Sequence, residues 1–278
     1  MKIHELLRER AELPHQQALR QRMRESTQSR EDDFFWREFD EVYKVFSYYW
    51  HAPDKTQILQ QIAHCVMDVM PEMPRSPLGI LDIGTGKGDK INDIMAMLLS
   101  KRRQLAVLDM VEPSAAAREN AGQLLSRHEY GGCLRDSFGT LEEIGERAYD
   151  AIIANNSIYY LEPFEENIIR CMEKIKQSGV FIILYLANNN DYGSLIRDIC
   201  EKSGVPHKIT FSLLPLRLFM GKDKESYNSR MVELLKYFYL QKHHDSFPSD
   251  REFLEIIETC SHDGFLHMEY CLFVVRKM

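Results

Sequence analysis

Apolar positions between residues 56 and 278 follow two alternating patterns, short unbroken runs and stripes at helical spacing. Short runs bounded by turn residues are typical of buried strands, whereas apolar positions three and four apart are typical of helices. The runs predict strands at 79–83, 105–111, 132–135, 150–154, 179–186, roughly 208–213 and 270–276. The stripes predict helices at 56–70, 88–100, 114–127, 140–147, 163–176, 191–203, 228–242 and 250–259. This alternation predicts an α/β fold in which helices cover both faces of a mostly parallel sheet.

Two stretches depart from this alternation. Residues 1–33 are highly charged and helix-prone, and residues 34–50 hold the densest block of aromatic side chains. We therefore expect residues 1–55 to form a helical arm and lid, although the aromatic helix can equally pack on the core. Within the domain formed by residues 56–278, we expect an insertion at about 214–249 to cap the carboxyl edge of the sheet.

The composition is that of an ordinary globular protein, and it limits the partners. Of the 278 residues, 44% are hydrophobic and 28% are charged. The net charge of −7 opposes approach to nucleic-acid phosphates, and the longest apolar run, residues 180–187, is too short to span a bilayer. The six cysteines form no C-x-x-C pair or zinc pattern, so we interpret them as reduced, buried thiols. We expect a cytoplasmic monomer or homodimer with a small-molecule substrate, and no metal, nucleic acid or membrane as partner.

The predicted strand at 79–83 leads into three alternating glycines, Gly84, Gly86 and Gly88, and then into a helix. This order opens a nucleotide-binding βα unit, because glycine lets the backbone approach a ligand without a Cβ in the way. Position 89 is Asp where a dinucleotide fingerprint has glycine, and the spacing also differs from a phosphate-binding P-loop. Asp82 beside the loop favours a cationic or hydroxyl-bearing ligand. A tight turn without a ligand is the alternative interpretation.

An acid follows the second predicted strand, in the segment Val111-Glu112-Pro113-Ser114. In this fold the second strand lies beside the first, so Glu112 can accept hydrogen bonds from both hydroxyls of a ribose. Ser114 is the predicted N-cap of the next helix. Asp109 is the competing acid, but it lies inside the predicted strand. The alternative for Glu112 itself is a solvated acid at a strand end.

Polar residues also follow the third and fourth predicted strands. Asp136 can accept a hydrogen bond from an adenine amino group, with Ser137 alongside the ring, although a plain turn acid is equally consistent. Asn155 and Asn156 emerge from a buried strand, where amides are costly unless a partner satisfies them. We expect them to face the ligand, with helix capping by Asn156 or Ser157 as the alternative.

The segment 82–88 resembles the (D/E)-x-G-x-G-x-G loop of class I S-adenosylmethionine-dependent methyltransferases, and the resemblance extends over residues 56–278. The chain resembles the histamine N-methyltransferase-like group in particular, at residues 111–114, 150–161 and 269–275. The resemblance implies a Rossmann-like sheet whose last strand is antiparallel, with a helical and aromatic substrate cap. It also implies S-adenosyl-L-methionine as the cofactor.

The patterns and the resemblance together predict three groups of site residues. The predicted cofactor-binding residues are Asp82, Gly84, Thr85, Gly86, Glu112, Ser114, Asp136, Ser137 and Asn155. The predicted catalytic residues are Asn156, Tyr160 and Glu269. The predicted substrate-binding residues are Tyr43, Phe46, Tyr159, Tyr192 and Phe219. The chain departs from the group at Glu269, where the group has an amide-bearing residue.

Methyl transfer from a sulfonium is an in-line displacement that requires donor and acceptor to be held close, aligned and shielded from water. The resemblance implies a small-molecule acceptor that is methylated at an amine or ring nitrogen. An amine has to lose its proton before it attacks, and an acid such as Glu269 could orient it. An O-methyltransferase of phenolic or carboxylate metabolites and a non-catalytic cofactor-binding regulatory protein are the alternatives. The sequence His243-His244-Asp245 could form a metal site or a dyad, but we interpret it as a solvated helix end.

Overall fold

A computed structural model describes residues 52–69, 77–101, 106–128, 131–158, 161, 163–186, 190–219, 251, 255, 259 and 261–278. The chain divides into two compact units, one of Met1–Lys55 with Leu214–Tyr270 and the other of Thr56–Leu213 with Cys271–Met278. The second unit contains the glycine loop and most of the described elements. Apart from residues 52–55, the predicted arm and lid lie outside the described residues, as do residues 220–249 of the predicted cap.

Helices and strands alternate through the second unit as the apolar pattern predicts. The helices are α1 (Ala52–Met67), α2 (Asp89–Lys101), α3 (Ala115–Ser126), α4 (Phe164–Lys174) and α5 (Asn190–Lys202). The strands are β1 (Leu78–Ile83), β2 (Ala106–Val111), β3 (Leu134–Phe138), β4 (Tyr149–Asn155), β5 (Ile175–Leu186), β6 (His207–Phe219), β7 (Ser261–His262) and β8 (Phe265–Lys277). Short 3-10 helices, Gly131–Cys133 and Glu142–Ile144, lie before β3 and β4.

The strands form one mixed sheet in the order β3-β2-β1-β4-β5-β8-β6, and the short β7 pairs antiparallel with β8. β1 pairs in parallel with both β2 and β4, β3 is parallel to β2, and β5 is parallel to β4. All seven residues of β4 are buried, which explains why its sequence is an almost unbroken apolar run. The mostly parallel sheet with its helices confirms the predicted α/β class.

Helix α1 shows how the apolar stripes form the core. Its side chains Ile58, Ile62 and Val66 recur four residues apart and are at most 2% exposed, as predicted for the buried face of an amphipathic helix. In the first unit, buried Asp54 of the same helix accepts hydrogen bonds from the backbone nitrogen and the guanidinium of Arg217, at 2.7–2.9 Å. That ion pair joins the first turn of α1 to β6.

Three predicted element boundaries are corrected by the structure. The predicted helix at 140–147 is wrong, because only the 3-10 helix forms and Gly145, with φ of +60°, ends it. β5 begins at Ile175 rather than at 179, and a bulge absorbs the extra residues opposite the start of β4. β6 continues through Phe219, so the first residues of the predicted insertion are strand, with Leu214, Leu216 and Leu218 alternating into the core.

The sheet order fixes where a ligand can bind. β2, β1 and β4 are adjacent and parallel, so their carboxyl ends meet at one edge of the sheet. The glycine loop follows β1, Glu112 follows β2, and Asn155 ends β4. In open α/β sheets this edge is where ligands bind.

Candidate cofactor site

The glycine loop turns sharply because its three alternating glycines all adopt positive φ. Gly84, Gly86 and Gly88 have φ of +68°, +57° and +89°, a region that side chains disfavour. The amide of Gly84 donates to the carbonyl of Val111 at the end of β2 (2.7 Å), and the amide of Gly88 donates to the carbonyl of Thr85 (3.1 Å). The loop is therefore held against β2 before α2 begins at Asp89.

The three glycines face different surroundings. A Cβ on Gly84 would lie 2.2 Å from the Cβ of Ser157, and a Cβ on Gly88 would lie 3.0 Å from Ala121 of α3. A Cβ on Gly86 would meet no atom of the described residues within 4 Å. Gly84 and Gly88 are thus required for packing, whereas the open side of Gly86 is where another molecule can approach the backbone.

Glu112 lies at the centre of this edge of the sheet. Its carboxylate accepts the amide of Gly86 through Oε2 (2.8 Å) and the amide of Ser114 through Oε1 (3.0 Å), although the residue is only 4% exposed. Ser114 is the N-cap of α3, and its hydroxyl accepts the amide of Ala117 at 3.2 Å. The structure thus brings Gly86, Glu112 and Ser114 together, as the sequence predicts.

Asp82 and Thr85 line the inner side of the same loop. Both are buried, and the hydroxyl of Thr85 donates to the backbone carbonyl of Asp82 at 3.3 Å. Burial raises the pKa of the Asp82 carboxyl to about 7, and the neighbouring charge of Glu112 adds to the rise. Asp82 therefore supplies a carboxyl group that a cationic partner would help to ionise.

The end of β4 closes against the glycine loop. The hydroxyl of Ser157 donates to the carbonyl of Ile83, and Asn156, with φ of +58°, donates its backbone amide to Leu184 (2.9 Å). The Asn156 side-chain amide donates to Oδ1 of Asn155 at 3.3 Å. Ser157 thus bonds to β1. A hydroxyl two residues after a buried strand that neighbours a glycine loop is the signal for this contact.

Asp109 is excluded as a ribose acceptor, because its carboxylate is already surrounded by donors. The side chain is fully buried and accepts hydrogen bonds from Arg135, Arg147 and Tyr149. Burial alone would raise its pKa, but these donors outweigh it and hold the pKa of Asp109 below its usual value. Glu112 therefore remains the acid at the end of β2.

Asp136 and Ser137 lie within β3 rather than after it. Asp136 pairs with Asp109 and Ser137 pairs with Met110 in the sheet register, and Oδ2 of Asp136 accepts a hydrogen bond from Arg147 at 2.6 Å. Sequence reasoning missed Arg147. The signal was an acid inside a buried strand, since Asp109 has to find cationic or hydroxyl partners elsewhere in the chain.

Tyr192, a predicted substrate-binding residue, is buried in this structure. It is 2% exposed on α5, its ring packs edge-on against Phe164 of α4 with the centroids 5.7 Å apart, and Tyr185 of β5 lies 6.3 Å away. The ring thus packs α5 against α4 and β5, and its contact with a substrate stays a prediction.

The remaining predicted residues either belong to the first compact unit or fall outside the described residues. Glu269 lies on β8 within the first compact unit and is partly exposed. Phe219 ends β6, and its side chain is outside the described part of the structure. Tyr43, Phe46, Tyr159, Tyr160 and the His243-His244-Asp245 segment are also outside it. Within the described ranges, no three His, Cys, Asp or Glu side chains form a metal-binding group, and no helix is long and apolar enough to cross a membrane.

The fold is shared with solved methyltransferases. The plantazolicin methyltransferase BamL, in complex with a triazolic desmethylPZN analog and SAH, aligns with a TM-score of 0.54 at 13% identity, over 93% of this chain and 99% of that one. The plantazolicin methyltransferase BpumL, in complex with the same kind of analog and SAH, aligns with a TM-score of 0.53 at 12% identity, over 94% of this chain and 97% of that one. No family model matches the sequence, and no curated protein matches it significantly. The chain thus has the Rossmann-like fold of class I methyltransferases.

Proposed function

We propose that this protein is an S-adenosyl-L-methionine-dependent methyltransferase that acts on a small molecule. The observation that supports this most is the position of Glu112, a buried carboxylate 2.8 Å from the amide of Gly86 at the carboxyl edge of the sheet. The neighbours BamL and BpumL, whose fold the chain shares, are methyltransferases solved with SAH, the demethylated form of the cofactor.

The residues at this edge suit an adenosyl sulfonium. The Glu112 carboxylate is an acceptor-only group placed where it already bonds two backbone amides of this edge, and we propose that it also accepts hydrogen bonds from ribose hydroxyls. Gly86 leaves its side of the loop open, with Thr85 beside it. The carboxyl of Asp82 suits the positive charge of the ligand's methionine end, and Asp136 and Ser137 on β3 are proposed to meet the adenine.

The bound cofactor supplies an electrophilic methyl group on a positively charged sulfur. Asn155 and Asn156, at the end of β4, are proposed to lie at the boundary between cofactor and acceptor, where Asn156 orients the attacking atom. For an amine acceptor, Glu269 is proposed to orient the nitrogen, in the place where the histamine N-methyltransferase-like group has an amide-bearing residue. Tyr159 and Tyr160 are proposed to contact the acceptor, as the resemblance to that group implies. For that chemistry the residues at the end of β4 would hold a neutral acceptor atom close to the cofactor's methyl group, in line with it and shielded from water.

Calorimetry with SAH tests the cofactor assignment. Wild-type protein is expected to bind SAH, and Glu112→Ala is expected to weaken binding about tenfold or more, because hydrogen bonds to a charged group contribute roughly 1.5–3 kcal/mol. Glu119→Ala, which removes an exposed acid from α3, is the matched control and should bind as the wild type does. Absence of SAH binding by the folded wild type would remove the basis of the proposal.

A library of amines and phenols, screened for methyl incorporation, tests the acceptor. Methylation of an amine or ring nitrogen, located by mass fragmentation, supports the proposed N-methyltransferase. A methylated oxygen would make the protein an O-methyltransferase with the same cofactor site. Tight SAH binding without turnover across the library would favour a regulatory cofactor-binding protein instead.

A further inference from the structure

The carboxylate of Asp109 is the hub of an ion network beside the proposed adenine end of the site. Its Oδ1 accepts Nε of Arg135 at 3.0 Å, and its Oδ2 accepts the hydroxyl of Tyr149 at 2.8 Å and Nη1 of Arg147 at 3.2 Å. Arg135 reaches Asp109 because it is the extra residue in a β-bulge, where Leu108 pairs with Leu134 but Asp109 pairs with Asp136. The hub is therefore fixed to β2, β3 and β4 at once.

Arg147 connects this hub to the carboxyl end of β3. The same Nη1 that bonds Asp109 also donates to Oδ2 of Asp136 at 2.6 Å, and the guanidinium carbon lies 5.0 Å from the ring centroid of Phe138. Phe138 is the last residue of β3. Arg147 is 37% exposed and Asp136 is 43% exposed, whereas Asp109 is fully buried. One guanidinium thus ties a buried anchor to a half-exposed acid and an aromatic ring.

We propose that Arg147 is a positioning residue for recognition of the cofactor's base: anchored by Asp109, it presents the carboxylate of Asp136 to an exocyclic amino group. This inference rests on the proposed function. It adds a residue that acts through Asp136 and a chemical selectivity that follows from it.

The arrangement of oxygens supports the proposal. Arg147 occupies Oδ2 of Asp136, and within the described ranges Oδ1 accepts no hydrogen bond. A carboxylate oxygen is an acceptor only, so it favours a 6-amino purine and disfavours a 6-oxo purine, whose oxygen it would repel. A carboxylate on a half-exposed side chain rotates freely unless something holds it, and the anchored guanidinium of Arg147 removes that freedom before the base arrives.

The experiment compares two probes that differ only in the base, SAH and S-inosylhomocysteine, by calorimetry on the full-length protein. Wild type is expected to prefer SAH. Arg147→Met, which keeps an unbranched stem but removes the donors, is expected to reduce that preference about tenfold, the equivalent of one hydrogen bond to a charged group. Asp136→Ala should reduce the preference similarly. The double variant should lose no more than Asp136→Ala alone, because Arg147 acts through Asp136.

A matched control separates positioning from general stability. Arg170→Met removes another partly exposed arginine paired to an acid, Glu142, and should leave the preference for SAH unchanged. If Arg147→Met does not fold, Arg147→Lys serves instead, because a single ammonium cannot reproduce the guanidinium geometry and should give an intermediate preference.

The outcomes distinguish this inference from the proposed function. If wild type binds neither probe, the proposed function fails and the inference fails with it. If wild type binds SAH and the folded Arg147 variant keeps or increases its preference, only the inference is overturned. An additive loss in the double variant would also overturn it, because Arg147 would then act independently of Asp136.

Discussion

Gly84 and Gly86 have similar positive φ, yet a methyl group at the two positions meets opposite surroundings. At Gly84 it would lie 2.2 Å from the Cβ of Ser157, so Gly84→Ala must push β4 away from the loop and should destabilise the protein by about 3 kcal/mol or more. At Gly86 it meets none of the residues that the structure describes within 4 Å, so Gly86→Ala should cost only about 1 kcal/mol from the backbone conformation. Urea unfolding measures both costs.

Gly86→Ala should nevertheless weaken SAH binding at least about tenfold, because the methyl group stands on the side of the loop that a ligand approaches. Gly145→Ala is the matched control, since Gly145 has φ of +60° and equally open surroundings away from the loop. It should leave SAH affinity unchanged, although its ψ of −134° gives it a stability cost of its own, of about 1–3 kcal/mol. Equal binding by the two variants would place the ligand elsewhere.

Asp82 gives a pH-dependent prediction. Its pKa is raised from 3.8 to about 7 in the folded protein, so between these values the folded state holds a proton that the unfolded state has released. Stability from this group therefore falls as pH rises through that window, by at most about 1.4 kcal/mol per pH unit, and is level above about pH 7. Asp82→Asn does not titrate, so its stability relative to wild type should increase from pH 4 to 7.

Urea unfolding of Asp82→Asn and wild type at several pH values measures this difference. Glu166→Gln, a change at an exposed acid of α4, is the control and should differ from wild type by a small, constant amount. A constant difference for Asp82→Asn across the same range would show that the carboxyl is ionised in the folded protein.

At the level of single residues, the sequence was most informative where both the side-chain type and its place relative to a strand end pointed to the same role. Glu112 was selected over Asp109 because it follows the strand, and the structure supports the choice by enclosing Asp109 in donors. The sequence alone does not place the Tyr192 ring, because an aromatic residue near a helix start is compatible with a pocket wall or with the core. Only three-dimensional packing distinguishes them, and here Phe164 and Tyr185 enclose the ring.

At the level of elements, side chains from β2, β3 and β4 meet at one buried charge, the carboxylate of Asp109. Removing this charge should therefore weaken the packing of all three strands. Asp109→Asn leaves Arg135 and Arg147 without their carboxylate. It also places the NH2 group of the new amide next to N–H and O–H donors. We therefore expect the free energy of unfolding to fall by about 3 kcal/mol. The arginines are 45% and 37% exposed and can turn into water, which keeps the loss near this level. Tyr149→Phe, which removes one donor, should cost about 1 kcal/mol.

Glu142→Gln provides the comparison for Asp109→Asn, because it neutralises the acid of an exposed ion pair with Arg170. Its effect on urea unfolding should stay within about 0.5 kcal/mol. An Asp109→Asn effect as small as this would mean that the hub is not a structural anchor, which would also weaken the argument for Arg147.

The same elements show which features of the fold a sequence can and cannot predict. From β1 to β6 the strands follow in the predicted order, because a strand that is buried on both faces has a nearly continuous apolar sequence. The start of β5 and the pairing of Arg135 were missed because a bulge changes register without changing hydrophobicity. The helix at 140–147 was wrong because its apolar spacing is compatible with a short turn that Gly145 ends.

At the level of the whole molecule, the predicted cofactor-binding residues all belong to the unit formed by Thr56–Leu213 and Cys271–Met278. Glu269, which is proposed to act on the acceptor, belongs to the other unit. A ligand that binds only folded protein stabilises what it binds by RT ln(1 + [L]/Kd). SAH should therefore raise the stability of the part of the molecule that holds Glu112 and the glycine loop. It should not raise the stability of any part that unfolds separately.

Differential scanning calorimetry with SAH tests this at a ligand concentration of about one hundred times Kd. The added stability is then about 2.7 kcal/mol, and the transition containing Thr56–Leu213 should move up by about 5 °C or more. If a second transition exists, it should stay in place, because it holds none of the adenosyl-binding residues. Glu112→Ala at the same SAH concentration should shift far less, since its Kd is higher. An equal shift in wild type and Glu112→Ala would show that SAH acts on the chain without using the end of β2, and the cofactor site would have to be sought at another strand end.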